Sequence, residues 1–218
     1  MIKKYSDFIN ETIQMYLAPN GRRSNLTNEQ WYLVRTPQFK NWFGDWEIGY
    51  GSKVLDENGE PRVMYHGSKS NFTSFNLGAE KVERTNNFSG FYFTANKQDA
   101  ISYSKSGKIY ECFINIRKPL VFKNGFKNRP SNTAINWVQN KYEPQFDDIY
   151  LNAKIENLKS GWWSSFMNGD DSREMAIIDG YDGYFDGTVE LCAFYPNAIK
   201  IADGSNKTFD KSSNDITL

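Results

Sequence analysis

The arrangement of short apolar segments between residues 53 and 201 constrains the fold more than any other feature of the sequence. Residues 63–65, 91–93 and 109–116 have the length and the aromatic or β-branched content of strands, and turn-forming residues separate them. In residues 109–116 apolar side chains alternate, as in a strand with one buried face. The predicted helices are few and clustered, so we expect an α+β fold.

Turn residues between the strand-like segments predict two hairpins. The first joins residues 54–55 to residues 63–65 through a turn at residues 56–60, with Gly59 at its tip. The second hairpin joins residues 184–185 to residues 189–194 through Asp186 and Gly187, and residues 199–201 add a last strand.

Residues 1–48 are predicted to form a small helical preface. A helical pattern opens it, and a capping box from Thr27 to Gln30 starts a second helix. Thr36 as N-cap and Pro37 at the first helical position start a third. The aromatic residues of the preface share one face, which we interpret as core packing rather than as a peptide or nucleic-acid contact through tryptophan. These residues are Phe39, Trp42, Phe43 and Trp46.

Composition divides the rest of the chain. We assign residues 49–202 to one main domain, in which residues 123–170 are a less regular insertion rich in Asn and Lys. Residues 203–218 are polar and are expected to form a loose tail. Two further helices are expected, one capped by Thr94 and ending near Ser104, and one capped by Ser172 and ending near Ile178.

Charge and composition exclude several functional classes. The 218 residues include 26 Lys and Arg and 26 Asp and Glu, so the chain lacks the basic excess of a broad nucleic-acid-binding surface. No apolar run is long enough to span a membrane, and the first residues lack the apolar core of a signal peptide. Two cysteines, Cys112 and Cys192, are too few for a disulfide framework. We therefore expect a soluble protein of a reducing, cytoplasmic compartment with no membrane partner.

His66 is the single histidine of the sequence and ends a predicted strand. One histidine cannot supply a His-based metal site, and the sequence has no HExxH or CxxC spacing, so we expect no metal. A nucleophilic pair of His66 with Cys112 or Cys192 is an alternative, although both cysteines lie in apolar patterns typical of buried thiols. Taken alone, His66 is most simply a hydrogen-bonded residue at a strand end.

Three segments in a fixed order change that interpretation. Residues 63–68 contain His66, and residues 90–94 contain Tyr92, which precedes Tyr103 by eleven residues. The third segment opens with Glu190 after a predicted turn. Together they resemble the His-Tyr-Glu signature of ADP-ribosyltransferases of the diphtheria-toxin and poly(ADP-ribose)-polymerase type.

The surrounding sequence resembles more closely the ADP-ribosyltransferase domains of polyvalent proteins from phages and mobile elements. The similarity includes residues 17–21, 34–46 and 56–61, and it is weakest in residues 123–170 of the matched stretch 17–202. It implies a split β-sandwich of two mostly antiparallel sheets around an NAD cleft, with the helical preface against one side. It also implies NAD as the substrate and a macromolecular acceptor, in the bacterial host cytoplasm if a phage encodes the protein.

The resemblance assigns catalysis to Glu190, His66 and Tyr92. Cleavage of the bond between nicotinamide and ribose passes through an oxocarbenium-like sugar, whose charge a fixed carboxylate stabilises. Glu190 would be that carboxylate, His66 would bond to the adenosine-side ribose, and Tyr92 would line the pocket. The alternatives are that Glu190 is a solvated strand residue and that Glu174, on the preceding helix, is the functional acid.

NAD binding is assigned by the same resemblance to His66, Tyr92 and three further residues. Gly67 has no side chain, so its backbone groups can approach the nicotinamide carboxamide. Tyr103 would stack on the nicotinamide ring, and Ser68 would add a polar contact. Without the resemblance, Tyr92 and Tyr103 would be interpreted as core aromatics.

The sequence departs from the family pattern at two positions. Ala100 stands where polymerase-type members carry a Ser three residues before the stacking Tyr, so one hydrogen bond to nicotinamide is absent or replaced. Thr188 stands two residues before Glu190, where arginine-directed toxins carry a Glu, which argues against arginine as the modified residue.

Three functions follow from these observations. The leading one is transfer of ADP-ribose from NAD to a macromolecular acceptor, with a host protein favoured over a nucleic acid. The second is hydrolysis of NAD, with water as the acceptor. The third is a non-catalytic interaction module that retains the fold.

Overall fold

The computed structural model describes residues 16–77, 88–123, 126–163, 167–185 and 190–218. These residues form six α-helices and eight β-strands, the α+β composition that the sequence predicts. The helices are α1 (Asn28–Leu33), α2 (Pro37–Phe43), α3 (Lys97–Ser104), α4 (Asn132–Tyr142), α5 (Asp148–Lys159) and α6 (Gly169–Ile178). The strands are β1 (Met64–Ser68), β2 (Phe91–Thr94), β3 (Lys108–Ile114), β4 (Pro119–Lys123), β5 (Phe126–Lys127), β6 (Gly183–Phe185), β7 (Glu190–Ala193) and β8 (Ile199–Ile201).

Hydrogen bonds join the strands in the order β5-β4-β6-β7-β2-β1-β3-β8. Strands β4 and β6 are parallel, and the other neighbouring pairs are antiparallel. Within the described residues the two halves of this order meet at one pair, Tyr65 of β1 with Thr94 of β2. The two sheets expected from the sequence are therefore two halves of one continuous hydrogen-bonded sheet, joined at a single point.

The main core lies on one face of the central strands. Alternating residues of β1, β2, β3 and β7 supply its side chains, as the period of two in a strand requires. Its buried members include Met64, Phe93, Tyr110, Cys112 and Leu191.

The helical preface forms a second, aromatic core. The capping box of α1 and the Thr36 cap of α2 are present as the sequence predicts, and Gly44 ends α2. Aromatic residues of α2 are fully buried against Phe113 of β3, so core packing is the correct interpretation of that face. This second core also contains Phe39, Trp42, Phe43, Trp46, Ala202 and Phe209.

The expectation of a loose C-terminal tail is wrong. Phe209 is 2% exposed and Ile216 is 1% exposed, and each packs into one of the two cores. Lys200 of β8 is buried, and its ammonium group donates to the carbonyl oxygens of Ser213 and Asp215 at 3.0 and 2.8 Å. Sequence polarity was misleading because a few apolar anchors and backbone bonds suffice to order a short segment.

The expectation that residues 123–170 are less regular than the rest of the chain is also wrong. Helices α4 and α5 lie there, each with a side-chain cap, at Ser131 and Asp147 respectively. With α6 they enclose a separate apolar cluster. Within it the buried Asp171 of α6 accepts a hydrogen bond from the Tyr142 hydroxyl at 2.6 Å.

Two predicted helix starts are shifted along the chain. Asn96, not Thr94, caps α3, and the Thr94 hydroxyl instead accepts a bond from the Asn96 backbone. Asn168, not Ser172, caps α6. In both cases an asparagine lies at the turn with extended backbone and outcompetes the hydroxyl residue as N-cap.

The predicted hairpins are found in different forms. The first is reduced to an isolated bridge between Leu55 and Pro61, and the second consists of the antiparallel pair β6 and β7. The turn at Asp186 and Gly187 lies outside the described residues, as does the opening helical pattern up to Met15, and Leu17 at the end of that pattern forms an isolated bridge with Arg23. No helix of the described ranges is long and apolar enough to cross a membrane. The domain boundaries after residues 48 and 202 stay predictions.

Candidate functional site

The sheet opens between β1 and β2. Strand β1 pairs with β3 along all five of its residues, but with β2 it pairs only at Tyr65 and Thr94 among the described residues. Beyond that pair, β1 continues through His66, Gly67 and Ser68 beside Tyr92 of β2. In the described part of the chain, none of these three residues forms a ladder pair with β2. The three residues singled out on β1 therefore border an opening in the sheet.

The backbone of Gly67 is directed towards this opening. In an antiparallel ladder the N–H and C=O of one residue point to the same edge, and successive residues alternate. The carbonyl of Glu111 accepts from the backbone N–H of Ala202 next to β8, so the backbone N–H and C=O of Glu111 point away from β1. The backbone groups of its partner Tyr65 therefore point away from β3, towards β2. Gly67 lies two residues after Tyr65, so its N–H and C=O also point to the β2 side, where pairing has ended.

Close packing of α3 gives Gly67 a second reason to be glycine. A Cβ at this position would lie 1.9 Å from the carbonyl oxygen of Ala100 and 2.8 Å from the backbone nitrogen of Ser104. The helix backbone therefore lies directly on Gly67. Ala100 itself is 1% exposed, so the position that the resemblance compares with a Ser is here part of a packed contact.

A surface cavity of about 180 Å³ lies between α3 and the start of β7. Tyr65, Thr94 and Glu190 are successive cross-strand partners on β1, β2 and β7, so their side chains project from one face of the sheet. The Lys97 ammonium of α3 lies over the same face, 5.7 Å from the ring centroid of Tyr65. The cavity is lined by Thr94, Asp99, Ser102, Tyr103 and Glu190.

Two of the predicted site residues, Glu190 and Tyr103, meet in this cavity. Glu190 is the first residue of β7 and is exposed. Tyr103 lies in the last turn of α3 and is 63% exposed, although a large aromatic residue is ordinarily buried. A carboxylate and an accessible ring thus share one opening, which is the combination expected for binding a planar, positively charged group.

His66 lies on the other face of β1, surrounded by the rings of Phe72, Phe75, Phe93 and Tyr110. Its Nδ1 is 2.8 Å from the carbonyl oxygen of Tyr92. Because a carbonyl oxygen only accepts, Nδ1 carries the proton and donates it. His66 therefore holds β1 to β2 across the opening, at the place where the strand ladder has stopped.

The side chains of Tyr92 and Ser68 are engaged within the chain. The Tyr92 hydroxyl donates to the carbonyl of Phe88 at 2.8 Å, and the ring packs in an apolar cluster with Phe194. The Ser68 hydroxyl accepts from the Ser70 backbone at 3.1 Å and so closes a turn. Both residues border the opening, but neither lines the cavity that contains Glu190.

A family model described as ADP-Ribosyltransferase in polyvalent proteins matches residues 56–209. This match covers more than half of the chain and includes every proposed site residue from His66 to Glu190. The chain belongs to this family. No curated protein and no solved structure matches the chain.

Membership of the ADP-ribosyltransferase family confirms the resemblance seen in the sequence and the fold class that it implied. NAD is the substrate of this family. Three observations on the described residues fit NAD, namely the exposed Tyr103 ring, the Glu190 carboxylate and the Gly67 backbone directed into the opening. The cavity itself is large enough for one ring or sugar, since whole drug-sized ligands need about 300–1,000 Å³.

Three residues that line the cavity, namely Thr94, Asp99 and Ser102, were not among the site residues predicted from the sequence. Asp99 lies four residues before Tyr103 on α3, and residues at this spacing share a helix face. The helix was predicted, so its spacing could have revealed Asp99. Thr94 could not be found in this way, because its position beside Glu190 depends on the pairing of β2 with β7.

The remaining candidate residues lie away from the cavity or outside the described ranges. Glu174 is exposed on α6 and does not line the cavity, whereas Thr188 lies outside the described residues. Cys112 and Cys192 are both buried, and burial raises the pKa of the Cys112 thiol, which disfavours the nucleophilic thiolate. Within the described part of the chain, no group of three His, Cys, Asp or Glu residues is placed to hold a metal ion.

Proposed function

We propose that this ADP-ribosyltransferase moves ADP-ribose from NAD to a macromolecular acceptor, a protein of the host cell, and releases nicotinamide. The reaction takes place in the cytoplasm. The observation that carries the proposal is the shared cavity of Glu190 and Tyr103 next to the opening between β1 and β2. One residue provides negative charge and the other an accessible ring, and both stand on regular elements that fix their positions.

Glu190 acts on the bond between nicotinamide and ribose. As this bond breaks, its electron pair leaves with nicotinamide and positive charge develops on the sugar. A carboxylate held near the ribose stabilises that charge without forming a bond to it. Glu190 pairs with Thr94 at the end of the ladder between β7 and β2, and this pairing fixes its backbone beside the cavity.

NAD is oriented by groups on both sides of the opening. Tyr103 stacks on the nicotinamide ring, and Gly67 presents its N–H and C=O to the carboxamide. His66 fixes the edge of the opening through its hydrogen bond to the Tyr92 carbonyl, and the family pattern assigns it to the ribose on the adenosine side. Tyr92 shapes the wall of the pocket, and Ser68 ends β1 beside the dinucleotide.

Hydrolysis of NAD is the second candidate function. Glu190 is exposed, so water can reach the position from which an acceptor would attack the ribose. A third candidate, an interaction module without activity, would need neither an exposed Tyr103 nor a carboxylate beside it.

The test is nicotinamide release by the purified protein from NAD, with and without bacterial lysate, followed by detection of labelled ADP-ribose on lysate proteins. We expect release that increases with lysate and label that becomes attached to protein. Release that lysate does not change, with free ADP-ribose as the product, would identify a hydrolase. No release under either condition would support the non-catalytic module.

A further inference from the structure

A C-terminal strap, residues 210–217, connects the sheet to the loop that follows β1. The carbonyl of Ile216 accepts a hydrogen bond at 2.8 Å from the N–H of the last residue of β8. The N–H of Ile216 donates at 2.8 Å to the carbonyl of Thr73, which lies in the β1 loop, residues 69–77. The strap therefore continues the hydrogen bonding of the sheet from β8 to the β1 loop.

Buried contacts hold the strap in place. Lys200 of β8 is fully buried, and its ammonium group donates to the carbonyl oxygens of Ser213 and Asp215. Ile216 is 1% exposed and packs in the same core cluster as Phe75 of the β1 loop. A segment without regular structure stays ordered when such contacts tie it down. The strap is thus a fixed support for the β1 loop.

The β1 loop supplies two of the rings that surround His66. The ring centroids of Phe75 and Phe72 lie 5.0 and 6.2 Å from that of His66. Tyr110 supports the loop from β3, since its ring stacks on Phe72 at 4.4 Å. The loop itself contains no helix or strand, and all its residues are described. The positions of its two rings therefore depend on Tyr110 and on the strap.

His66 passes this support on to the opening between β1 and β2. Its Nδ1 donates to the carbonyl of Tyr92 at 2.8 Å, next to the point where the ladder between the two strands ends. Protein interiors are close-packed, so a ring that is displaced forces its neighbours to move. A shift of Phe75 would therefore move the imidazole and, with it, the edge of the opening.

We propose that the C-terminal strap is a positioning element for NAD, with Ile216 and Lys200 as positioning residues. They hold the β1 loop, the phenylalanines of the loop orient His66, and His66 sets the opening in which NAD binds. The strap begins directly after the residues that the family match covers, so family membership assigns it no role. Glu190 stands on β7, beyond β2 in the strand order, so the strap acts on NAD binding rather than on bond cleavage.

This inference rests on the proposed function, so NAD affinity is measured by calorimetry, separately from the KM and kcat of nicotinamide release. Ile216→Ala removes the buried side chain of the strap, and Lys200→Met removes the ammonium group but keeps an apolar stem. Leu158→Ala is the matched control, because Leu158 is an equally buried aliphatic residue of the separate cluster formed by α4, α5 and α6. Urea denaturation confirms that each variant is folded under the assay conditions.

We expect Ile216→Ala and Lys200→Met each to raise the dissociation constant and the KM for NAD about 10-fold and to leave kcat within about twofold, a range typical of coupling between separate sites. Leu158→Ala removes a similar buried volume and should lower stability to a similar extent. Its KM for NAD should nevertheless be unchanged.

A covalent link between strap and loop provides a rescue experiment, which also decides the matter if Ile216→Ala does not fold. Ser74 and Asp215 form an isolated antiparallel bridge, and such partners lie within the Cα distance that a disulfide needs. Ser74→Cys and Asp215→Cys are therefore combined with Lys200→Met. Oxidation should restore most of the lost NAD affinity, and reduction should remove it again.

Several results would overturn the inference. An equal rise of KM in Leu158→Ala would assign the effect to general stability. An unchanged KM in both strap variants, a loss of kcat at constant KM, or no recovery of affinity on oxidation would also contradict it. A wild-type protein that binds NAD but releases no nicotinamide would overturn the proposed function alone, and the affinities would still decide the role of the strap. A wild-type protein that does not bind NAD would overturn both.

Discussion

The preface core and the candidate cavity use aromatic residues in opposite ways. Trp42 of α2 is 1% exposed, whereas Tyr103 of α3 is 63% exposed. The indole N–H of Trp42 donates to the carbonyl of Asn197 at 3.1 Å, so its polar atom is paired within the fold. Tyr103 shares its opening with two carboxylates. The preface uses its rings for packing, whereas the cavity leaves one ring accessible, as the proposed stacking on nicotinamide requires.

The glycines of the preface and of the region around the cavity also differ in what requires them. Gly44 ends α2 with a φ of +100°, and a Cβ there would lie 2.2 Å from Cα of Gly51, so both backbone conformation and close packing require glycine. Gly67 has no such φ and is required by packing alone, because the backbone of α3 lies against it. The difference suggests that substitutions in the preface will change stability alone, whereas substitutions around α3 will change NAD binding.

The largest effect on stability is expected at Trp42. Trp42→Ala should lower the free energy of unfolding by about 3–5 kcal/mol, the usual cost of removing a buried large ring. As a control, Ile48→Ala removes a side chain that is 78% exposed and should change the free energy by less than about 0.5 kcal/mol. Urea denaturation measures both. A Trp42 variant as stable as the control would show that the preface is not part of the core.

A smaller effect on stability, coupled to binding, is expected at Gly67. Gly67→Ala places a Cβ against two backbone atoms of α3, which should cost about 1–3 kcal/mol of overpacking. Because the helix must move, NAD affinity measured by calorimetry should fall as well.

Gly59→Ala is the matched control for Gly67. A Cβ on Gly59 meets no atom within 4 Å, but its φ of +80° is unfavourable for alanine and should cost about 1–2 kcal/mol. NAD affinity should be unchanged in this variant. An equal loss of NAD affinity in both variants would show that the contact between α3 and β1 has no specific role in NAD binding.

The smallest effect on stability is expected at Tyr103. Tyr103→Ala should leave unfolding nearly unchanged and weaken NAD binding by about 1–3 kcal/mol, the range for one lost stacking contact. Tyr103→Phe keeps the ring and should be much milder. Equal losses of affinity in the two variants would show that the hydroxyl, not stacking, makes the contact.

Local signals in the sequence predicted most of the regular elements. The Thr27 capping box and the Thr36-Pro37 start are encoded within four residues, so no tertiary information was needed to place α1 and α2. The burial of the C-terminal tail was not predictable, because Phe209 packs against Phe39, far away in the sequence. Polar composition carried no information about that contact.

The candidate site was predictable only in part, for the same reason. Glu190 and Tyr103 were found because they stand in recognisable motifs, and the cavity brings them together. The position of Thr94 depends on strand register, and the shift of the α3 cap to Asn96 depends on the local backbone. The face of the sheet on which the His66 side chain lies could not be assigned from the sequence, because it depends on the register between β1 and β3.

The most direct test of the account is Glu190→Gln, with NAD affinity and nicotinamide release measured on the same preparation. Glutamine retains the shape of the side chain but removes the charge, so turnover should fall by roughly 10²–10³-fold while NAD affinity changes little. Glu174→Gln, an exposed acid on α6, should leave both values nearly unchanged. Full turnover in Glu190→Gln, or a loss of turnover in Glu174→Gln alone, would contradict the assignment of Glu190 as the catalytic carboxylate.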